Sequence, residues 1–515
     1  MKAKRYIAIT LAVFMTVAIL SSCKKDAEPA APEKAEVVYY MVCEYENTLW
    51  DPALTMSISD ASLAPMIYEN LFELKLDGSI GPQLAERWEV SPDGLKYTFH
   101  LRHGVQWHKG YGEFTSADVK FTLERQSDPA LGSVHADDLQ VDNIASIECP
   151  DDYTVILNLK QVDVDLLNRL AEYYGVLVCK AHYDKNGHEG INTDPIGTGS
   201  FAFDSGTLMM RTEAVRNHEW WGSFTGNIDR VVSTYITDTN TMYAAFDGGE
   251  LDGITLYDID KMLEYESKGY EIGTVPMRQL LYISLNMQLE PFDDPMVRQA
   301  FFHAIDVDYY LQYLFQGTES AVGSYLPPNS KYAVRDYFSN EYNPDKAKQL
   351  LSDAGYPNGC PITMWSANDS LGQPPAIIAQ DMLERAGFVL EHNNVDFGVF
   401  IGQVRGGTAP AFVYYNTTSV IGDDTIIRFT GEYYPGNNWS GIQDDEYDRH
   451  VAAGIAASTE QEKFEHFHAA QRRLMDLQVL FPVATFSAGR VSQSNISGYV
   501  IYGDDATRLH TVTKS

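Results

Sequence analysis

The pattern of apolar and polar residues predicts strands and helices in alternation from residue 37 onward. The run 37–42 predicts a strand that leads into a loop with Tyr45 and Trp50. Between residues 95 and 108, apolar Tyr97, Phe99 and Leu101 alternate with polar neighbours, as in strands with one solvated face. Together with the helices below, these segments indicate a mixed α/β fold with several strand-rich regions.

Short capping motifs predict where several helices begin. Thr115 and Asp118 have the spacing of a capping box ahead of a helix over 116–125. Proline in the first turn, where its missing N–H costs little, opens two more helices after Asp294 and Asn343. A long amphipathic helix is predicted over 462–480.

The first 34 residues predict where the protein resides. Lys2, Lys4 and Arg5 precede an uncharged apolar run over 7–20, and small residues follow it. This is the pattern of a secretory signal peptide over residues 1–22. The apolar run is too short for a membrane-spanning helix, which needs about 20 residues.

The end of this segment, Leu20-Ser21-Ser22-Cys23, resembles the bacterial lipobox. The resemblance implies that Cys23 is diacylated and becomes the first mature residue; the alternative is an ordinary signal peptide with an incidental cysteine. Two acyl chains hold a soluble domain at a bilayer, since each buried methylene contributes about 0.8 kcal/mol. The polar stretch 23–35, rich in Ala and Pro, suits a tether. We therefore expect an extracytoplasmic lipoprotein, in the periplasmic space or on the outer face of the cell membrane.

Size and charge restrict the function further. Without the signal peptide, 493 residues remain, enough for two or three cores at about 100–200 residues per domain. The predicted signal peptide holds three basic and no acidic residues. The rest of the chain therefore has 35 basic and 71 acidic residues, which gives a formal net charge of −36. Such a charge argues against binding to nucleic acid or to anionic lipid.

The cysteines and histidines do not indicate a metal site or a cofactor. Beyond Cys23, the four remaining cysteines are scattered without a CxxC spacing. One disulfide, Cys149–Cys179, fits an oxidising compartment, but free thiols fit the sequence as well. His466 and His468 are two residues apart on a predicted helix and therefore point to different faces.

A secreted glycosidase or peptidase is the alternative from a different functional class. With 71 acidic residues, a pair of carboxylates at catalytic separation occurs by chance and carries little weight. The chain has no HExxH, no GxSxG and no Cys-His signature. The sequence therefore predicts no catalytic residue and a protein that is not an enzyme.

A series of short motifs runs in order from about residue 47 almost to the C-terminus. They are 49–52 (LWDP), 67–73 (IYENLFE), 81–88 (GPQLAERW), 91–94 (SPDG), 97–102 (YTFHLR), 104–107 (GVQW), 114–119 (FTSADV), 195–201 (PIGTGSF), 249–252 (GELD), 291–294 (PFDD) and 297–300 (VRQA). Each motif alone is weak, but their order resembles the family 5 solute-binding proteins of ABC importers, which include dipeptide, oligopeptide and nickel receptors.

The resemblance implies a two-lobe α/β clamshell with an extra subdomain on the first lobe. Lobe I would comprise residues 36–282 and the return segment 487–515, with the added subdomain within about 83–190, and lobe II residues 286–484. Two crossings, near 282–286 and 482–486, would form a hinge that closes the lobes on a ligand. The implied partners are a ligand and membrane permease subunits, and the implied state is a monomer without cofactor or metal.

The chain departs from the peptide-binding members at their charged anchors. In those members, an aspartate after a Gly-Trp pair on a lobe II strand binds the α-amine of the ligand. Here the stretch 412–424 has Thr418 at the tryptophan and Ile421 at the aspartate. The arginine by which dipeptide receptors bind the ligand carboxylate is missing after 363–365. A dipeptide bound at both ends is therefore disfavoured, because its charges would be buried unpaired.

We predict a ligand site in which the strand at 416–419, with Asp423 close by, faces Tyr45 and Trp50 across the cleft. The leading ligand class is an oligopeptide or peptide-like solute; an oligosaccharide stacked on rings, or a metal chelate, remains the alternative. The predicted ligand-binding residues are Tyr45, Trp50, Trp365, Asn416, Thr417, Thr418, Ser419 and Asp423.

Overall fold

The structure is a computed structural model that describes residues 35–43, 49–55, 63–75, 79–319, 321–338, 341–369, 372–500 and 506–515. The predicted signal peptide, the lipidation site Cys23 and the predicted ligand residue Tyr45 lie outside these ranges.

The elements are numbered in chain order. The strands are β1 (Val38–Cys43), β2 (Phe72–Leu74), β3 (Ile80–Pro82), β4 (Ala85–Val90), β5 (Lys96–Leu101), β6 (Ile144–Asp151), β7 (Thr154–Leu159), β8 (Phe201–Thr207), β9 (Arg211–Arg216), β10 (Arg230–Tyr235), β11 (Gly253–Leu256), β12 (Ile272–Leu285), β13 (Cys360–Ala367), β14 (Phe388–Val395), β15 (Ala411–Thr417), β16 (Leu480–Ser492), β17 (Ile496–Ser497) and β18 (Thr513–Lys514). The helices are α1 (Ala64–Ile67), α2 (Ser116–Gln126), α3 (Leu166–Arg169), α4 (Lys180–Thr193), α5 (Thr239–Asp247), α6 (Ile259–Ser267), α7 (Pro295–Ala304), α8 (Val307–Phe315), α9 (Pro344–Asp353), α10 (Gln373–Arg385), α11 (Phe397–Arg405), α12 (Asp423–Arg428), α13 (Asp445–Ile455) and α14 (Glu460–Asp476).

The predicted helix starts are confirmed by their caps. At α2, the Asp118 carboxylate accepts from the Thr115 backbone N–H at 2.9 Å, and the capping box is complete. Asp294 accepts from the N–H of Met296 at 2.8 Å, and Asn343 caps α9 in the same way. The predicted helix over 462–480 ends earlier, at Asp476, because the chain enters β16 at Leu480.

One ten-stranded sheet extends through most of the described chain, in the order β14-β13-β15-β12-β16-β11-β1-β10-β9-β8. β1 pairs in parallel with β10 and β11, and β13 pairs in parallel with β14 and β15. β12 and β16, which are antiparallel, join these two groups. The group with β1 belongs to the predicted lobe I and the group with β13 to the predicted lobe II.

The pairing of β12 with β16 is irregular at its centre. Ile272–Pro276 pair with residues 487–491, and Leu280–Ser284 pair with residues 480–485. The register shifts between Pro276 and Leu280 and again between Leu281 and Tyr282, so the regular ladder is interrupted where the chain passes from one half of the sheet to the other. The lobe boundaries themselves stay a prediction.

A second, antiparallel sheet with the order β4-β5-β7-β6 lies within the predicted added subdomain. Its inner face buries Phe99, Val155 and Leu157 against α2 and the segment that follows β7. A disulfide between Cys149 and Cys179 does not form, and both thiols are free. The Cys149 thiol donates to the Ser116 carbonyl, while the Cys179 sulfur caps α4, so the two side chains serve different neighbours.

The turn at 197–199 is a close backbone crossing. A Cβ on Gly197 would lie 1.8 Å from the Ile67 carbonyl oxygen, and one on Gly199 would lie 2.3 Å from that of Met66. Glycine is required at both positions because these contacts leave no room for a side chain. Buried His108 spans the turn: its Nδ1 accepts from the Gly197 N–H at 3.3 Å and its Nε2 bonds the Gly199 carbonyl at 2.9 Å.

Candidate ligand site at the carboxyl ends of the strands

The carboxyl ends of the parallel strands in both halves of the sheet face the β12–β16 crossing. In the second half, β15 starts opposite Leu285 and ends with Thr417 opposite Gln279, beside the register shift. In the first half, β11 ends with Leu256 opposite Gly489, and β1 runs parallel to it. Ligands of open α/β sheets bind beyond the carboxyl ends of the strands, so the region beyond these ends, at the crossing, is the candidate site.

The end of β15 and the loop after it carry four of the predicted ligand residues. Asn416 is buried, and its amide nitrogen donates to the Thr425 hydroxyl at 3.1 Å. Thr417 is exposed. Thr418 is only 3% exposed, and its hydroxyl lies 3.2 Å from that of Ser330. The Ser419 hydroxyl donates to Asp424 at 2.8 Å, so Thr417 offers the solvent-facing side chain of this group.

The two predicted tryptophans lie in different surroundings. Trp365, on β13 near its carboxyl end, is half-buried against the core around Phe412. Trp50 is buried in the core beside β1, with its ring 5.4 Å from that of Phe203. It also lines a pocket with Cys43, at the end of β1, and Tyr235, at the end of β10.

An aromatic group supports the end of β15. The Tyr414 ring lies 5.0 Å from Trp439, 6.0 Å from Tyr282 and 5.7 Å from Tyr415. Burial raises the pKa of the Tyr414 hydroxyl, although the nearby guanidinium of Arg428 partly opposes this shift. Tyr414 is therefore neutral at physiological pH and can donate or accept a hydrogen bond.

Arg428, at the end of α12, is a functional candidate that the sequence reasoning missed. One guanidinium nitrogen donates to the Asn416 side-chain oxygen at 2.6 Å, and the group lies 5.7 Å from the centre of the Trp439 ring. Within the described ranges, no carboxylate lies close enough to Arg428 to form an ion pair. A sequence signal was present: Arg428 is the sole basic residue between Arg405 and Arg449.

Asp423 lies beside the site but is already paired. It is 2% exposed, and its carboxylate accepts from Arg169 of the predicted added subdomain and from Lys463 at 3.5 Å. Burial disfavours the charged form of Asp423, but Arg169 and Lys463 outweigh it and lower the pKa of this carboxyl. The predicted role of Asp423 in ligand binding therefore competes with a role in joining the two halves of the molecule.

These contacts belong to a buried ion network between residues of the predicted added subdomain and residues of the predicted lobe II. Asp165, in the loop before α3, is fully buried and accepts from Lys463 at 2.5 Å, from Lys331 at 2.8 Å and from the Tyr332 hydroxyl at 3.1 Å. We call the side chains of Asp163, Asp165, Arg169, Lys331, Asp423 and Lys463 the interlobe network; its three carboxylates balance its three cations.

A backbone contact lies next to this network. The Glu172 carboxylate accepts from the Val420 N–H at 2.8 Å, and Val420 packs into the core of the added subdomain. The loop after β15 is therefore attached to the subdomain by an ion pair, a hydrogen bond and an apolar contact.

The chain matches a known protein family over most of its length. A model of the bacterial extracellular solute-binding proteins, family 5 (middle region), matches residues 79–438. The match covers more than half of the chain. The chain belongs to the family 5 extracellular solute-binding proteins.

Relatives of this solute-binding protein match over nearly its whole length. The glutathione-binding protein GsiB of Escherichia coli O1:K1 is 28% identical over 506 residues, which are 96% of this chain and 96% of that protein. The protein of the same name from Salmonella choleraesuis is 27% identical over 469 residues, or 89% of this chain and 90% of that protein. These relatives are binding proteins rather than enzymes.

Solved structures confirm the two-lobe fold of this solute-binding protein. The periplasmic binding protein DppA of Helicobacter pylori in complex with the peptide STSA has a TM-score of 0.79 and 25% identity, over 93% of this chain and 98% of that one. NikA of Brucella suis in complex with Fe(III)-EDTA has a TM-score of 0.82 and 21% identity, over 93% and 100%.

The described residues contain neither a candidate membrane-spanning helix nor a cluster of metal-ligating side chains. No helix among them combines the length and apolar character needed to cross a membrane. No three or more of their histidine, cysteine and acidic side chains are grouped so that they could hold a metal ion.

Proposed function

We propose that this solute-binding protein is the lipid-anchored receptor of an ABC importer and that it binds an oligopeptide or peptide-like solute between its lobes. The observation that carries the proposal is that the carboxyl ends of β1 and β11 and those of β13 and β15 are directed toward the same β12–β16 crossing. The polar end of β15 and its aromatic support suit a ligand with amide groups and apolar side chains.

The names of the compared proteins favour a peptide-like ligand. GsiB is named for binding glutathione, a tripeptide-like solute, and the DppA structure holds the peptide STSA. The fold alone also accommodates a metal chelate, since NikA holds Fe(III)-EDTA. An oligosaccharide, which could stack on the Tyr414 and Trp439 rings, is the remaining ligand class.

Lobe closure is the proposed mechanism. The predicted hinge comprises the crossings near 282–286 and 482–486. The register shifts between Pro276 and Leu280 and between Leu281 and Tyr282 adjoin the first crossing and support it, because strands with a shifted register bend more readily than a regular pair. Closure would bury the solute, form the interlobe network and present a surface that the permease recognises. The protein would act as a monomer and leave the solute chemically unchanged.

Native mass spectrometry of protein purified without refolding tests the ligand class. We expect a set of co-purified masses that match peptides and disappear on denaturation. Hexose increments would instead identify an oligosaccharide and overturn the peptide proposal. Cleavage of an added peptide by the pure protein would overturn the proposed binding role.

The lipid anchor is tested with Cys23→Ser. Since acylation requires the cysteine thiol, the variant should move from the membrane fraction to the soluble extracytoplasmic fraction. The free-cysteine variant Cys360→Ser, in the core of lobe II, is the matched control and should stay with the membrane. If Cys23→Ser remains in the membrane fraction, the protein is not held by lipidation at this residue.

A further inference from the structure

Two histidines from neighbouring helices face each other. His450 lies on α13 and His466 on α14, and both side chains are half-buried. Their Nδ1 atoms are 3.3 Å apart, and their ring centres are 5.6 Å apart. The spacing in the sequence directs His466 and His468 to different faces, and the His468 ring lies 3.7 Å from that of Phe464 instead. The structure therefore gives His466 a partner that is 16 residues away.

The packing of the two helices fixes the positions of these rings. Four residues, 456–459, connect α13 to α14. A Cβ on Gly454 would lie 2.4 Å from the Phe467 ring, so the helices are in close contact beside the histidines. At the other end of α13, the Asp444 carboxylate accepts from the Arg473 guanidinium at 3.0 and 2.6 Å. Side chains on such helices are held more precisely than side chains on loops.

The distance between the two Nδ1 atoms matches the spacing of two ligands on one zinc ion. Zinc binds imidazole nitrogen at about 2.0–2.1 Å and prefers tetrahedral geometry, which places two nitrogen ligands about 3.3–3.4 Å apart. Octahedral ligands at about the same bond length lie only about 2.9 Å apart. The observed 3.3 Å therefore fits a tetrahedral ion without movement of either ring.

The protonation of the pair also suits a cation. Burial lowers the pKa of His450, and His466 and Arg449 act in the same direction, whereas Glu446 opposes them. Without an ion, one Nδ1 donates to the other. An ion needs this hydrogen to move to Nε2 of the same ring. Neither Nε2 bonds another side chain or the backbone in the described part of the chain, so the change breaks no other contact.

We propose that His450 and His466 form a zinc-binding site, in which each ring provides Nδ1 and water occupies the remaining positions. The site is independent of the proposed function, since it requires neither the solute nor the end of β15. It has two protein ligands, which agrees with the absence of larger groups of metal-ligating side chains from the described residues. Binding should therefore be weaker and more readily reversible than at closed structural sites with four protein ligands.

Titration of the full-length protein with zinc chloride tests the assignment. The protein is first freed of metal with EDTA and desalted, and binding is measured by calorimetry and by thermal melting. We expect one zinc ion per chain and a rise in the melting temperature, because an ion that binds only the folded state stabilises it. Magnesium chloride should have no such effect, because magnesium prefers oxygen ligands.

Two single variants locate the ion. His450→Gln and His466→Gln should each weaken zinc binding at least about tenfold, since one of the two protein ligands is lost. Melting without metal shows whether each variant folds, and either of the two suffices for the test. His218→Gln, which removes an exposed histidine after β9, is the matched control and should bind zinc as the wild type does.

The outcomes separate this site from solute binding. If the wild type binds no zinc, or if folded His450 and His466 variants bind it as tightly as the wild type, the pair is not a zinc site. Neither result affects the proposed function, which is tested by the masses that co-purify with the protein.

Discussion

Two adjacent threonines at the end of β15 have different surroundings although they look alike in sequence. Thr417 and Thr418 are both small, polar and adjacent, yet Thr417 is exposed and Thr418 is packed against Ser330. A large side chain at Thr418 would have to displace the core around it, which typically costs about 1–3 kcal/mol. Thr417 is therefore the residue at which the site can be tested without loss of stability.

Thr417→Trp should exclude the solute while leaving the fold intact. The indole would extend from the end of β15 into the gap, so the co-purified ligand seen in native mass spectra should fall to a small fraction of the wild-type level. The melting temperature of the empty protein should change little. Full ligand occupancy in this variant would mean that the end of β15 does not line the site.

At the scale of elements, the turn at 197–199 shows how a short motif depends on a distant segment. Its glycines face the carbonyl groups of Met66 and Ile67, and His108 bonds both ends of the turn. The role of this motif is structural: its glycines let the backbone at 197–199 approach the backbone at 66–67.

Gly197→Ala should lower the free energy of unfolding by about 3 kcal/mol, because the new Cβ would overlap the Ile67 carbonyl. Urea unfolding measures the loss. Gly402→Ala in α11 is the matched control. Outside its own helical turn, no atom of the described residues lies within 4 Å of a Cβ there, and alanine favours the helix, so stability should stay equal or rise by up to about 1 kcal/mol. Equal stabilities for wild type and Gly197→Ala would contradict the close crossing.

His108 should make stability depend on pH between about 6.5 and 4. Its Nδ1 accepts from Gly197, so the ring is neutral, and burial lowers its pKa to about 4. The unfolded chain, with an ordinary histidine pKa near 6.5, binds more protons in this window. The free energy of unfolding should therefore rise with pH across it, by up to about 3 kcal/mol.

Comparison with His108→Gln isolates this contribution, because His510, whose pKa burial also lowers to about 4, is present in both proteins. Urea unfolding at several pH values from 4 to 7 should show a smaller slope for the variant. Identical slopes would show that His108 does not account for the pH dependence.

At the scale of the whole molecule, two features link the lobes. One is the continuous sheet, in which β12 and β16 pass through both halves with an interrupted ladder. The other is the interlobe network, in which fully buried Asp165 bonds two lysines and a tyrosine of the predicted lobe II. Removal of one partner of a buried ion pair is strongly destabilising, because the other charge is left uncompensated.

Asp165→Asn should shift the lobes toward the open state. Lys463 and Lys331 would lose their shared carboxylate in the closed state, whereas in an open state water would solvate them. Small-angle scattering should give a larger radius of gyration, and affinity should fall by a similar factor for every solute.

Asp184→Asn removes a solvent-exposed ion pair with Lys180 and is the matched control, since such pairs contribute about 0–1 kcal/mol. It should leave both measurements unchanged. An unchanged radius and affinity in Asp165→Asn would show that the network does not govern closure.

The sequence by itself determined the features that depend on neighbouring residues. The caps at Thr115, Asp294 and Asn343 act within two or three residues, so their motifs predicted the helix starts. The ordered motifs indicated the family, and the polar end of the strand before Thr418 was recognised as a candidate site. Such features are readable because the interacting groups lie close together in the chain.

Only the tertiary structure decided which distant groups meet. Asp165 and Lys463 are 298 residues apart, and Arg169 and Asp423 are 254 apart, so no local pattern indicates that they pair. For the same reason, the sequence did not show that Cys149 and Cys179 serve different neighbours, that Thr418 is buried while Thr417 is exposed, or that Arg428 contacts Asn416. Burial and long-range pairing arise when strands from both halves of the chain assemble into one sheet, and the chemistry of the site depends on that assembly.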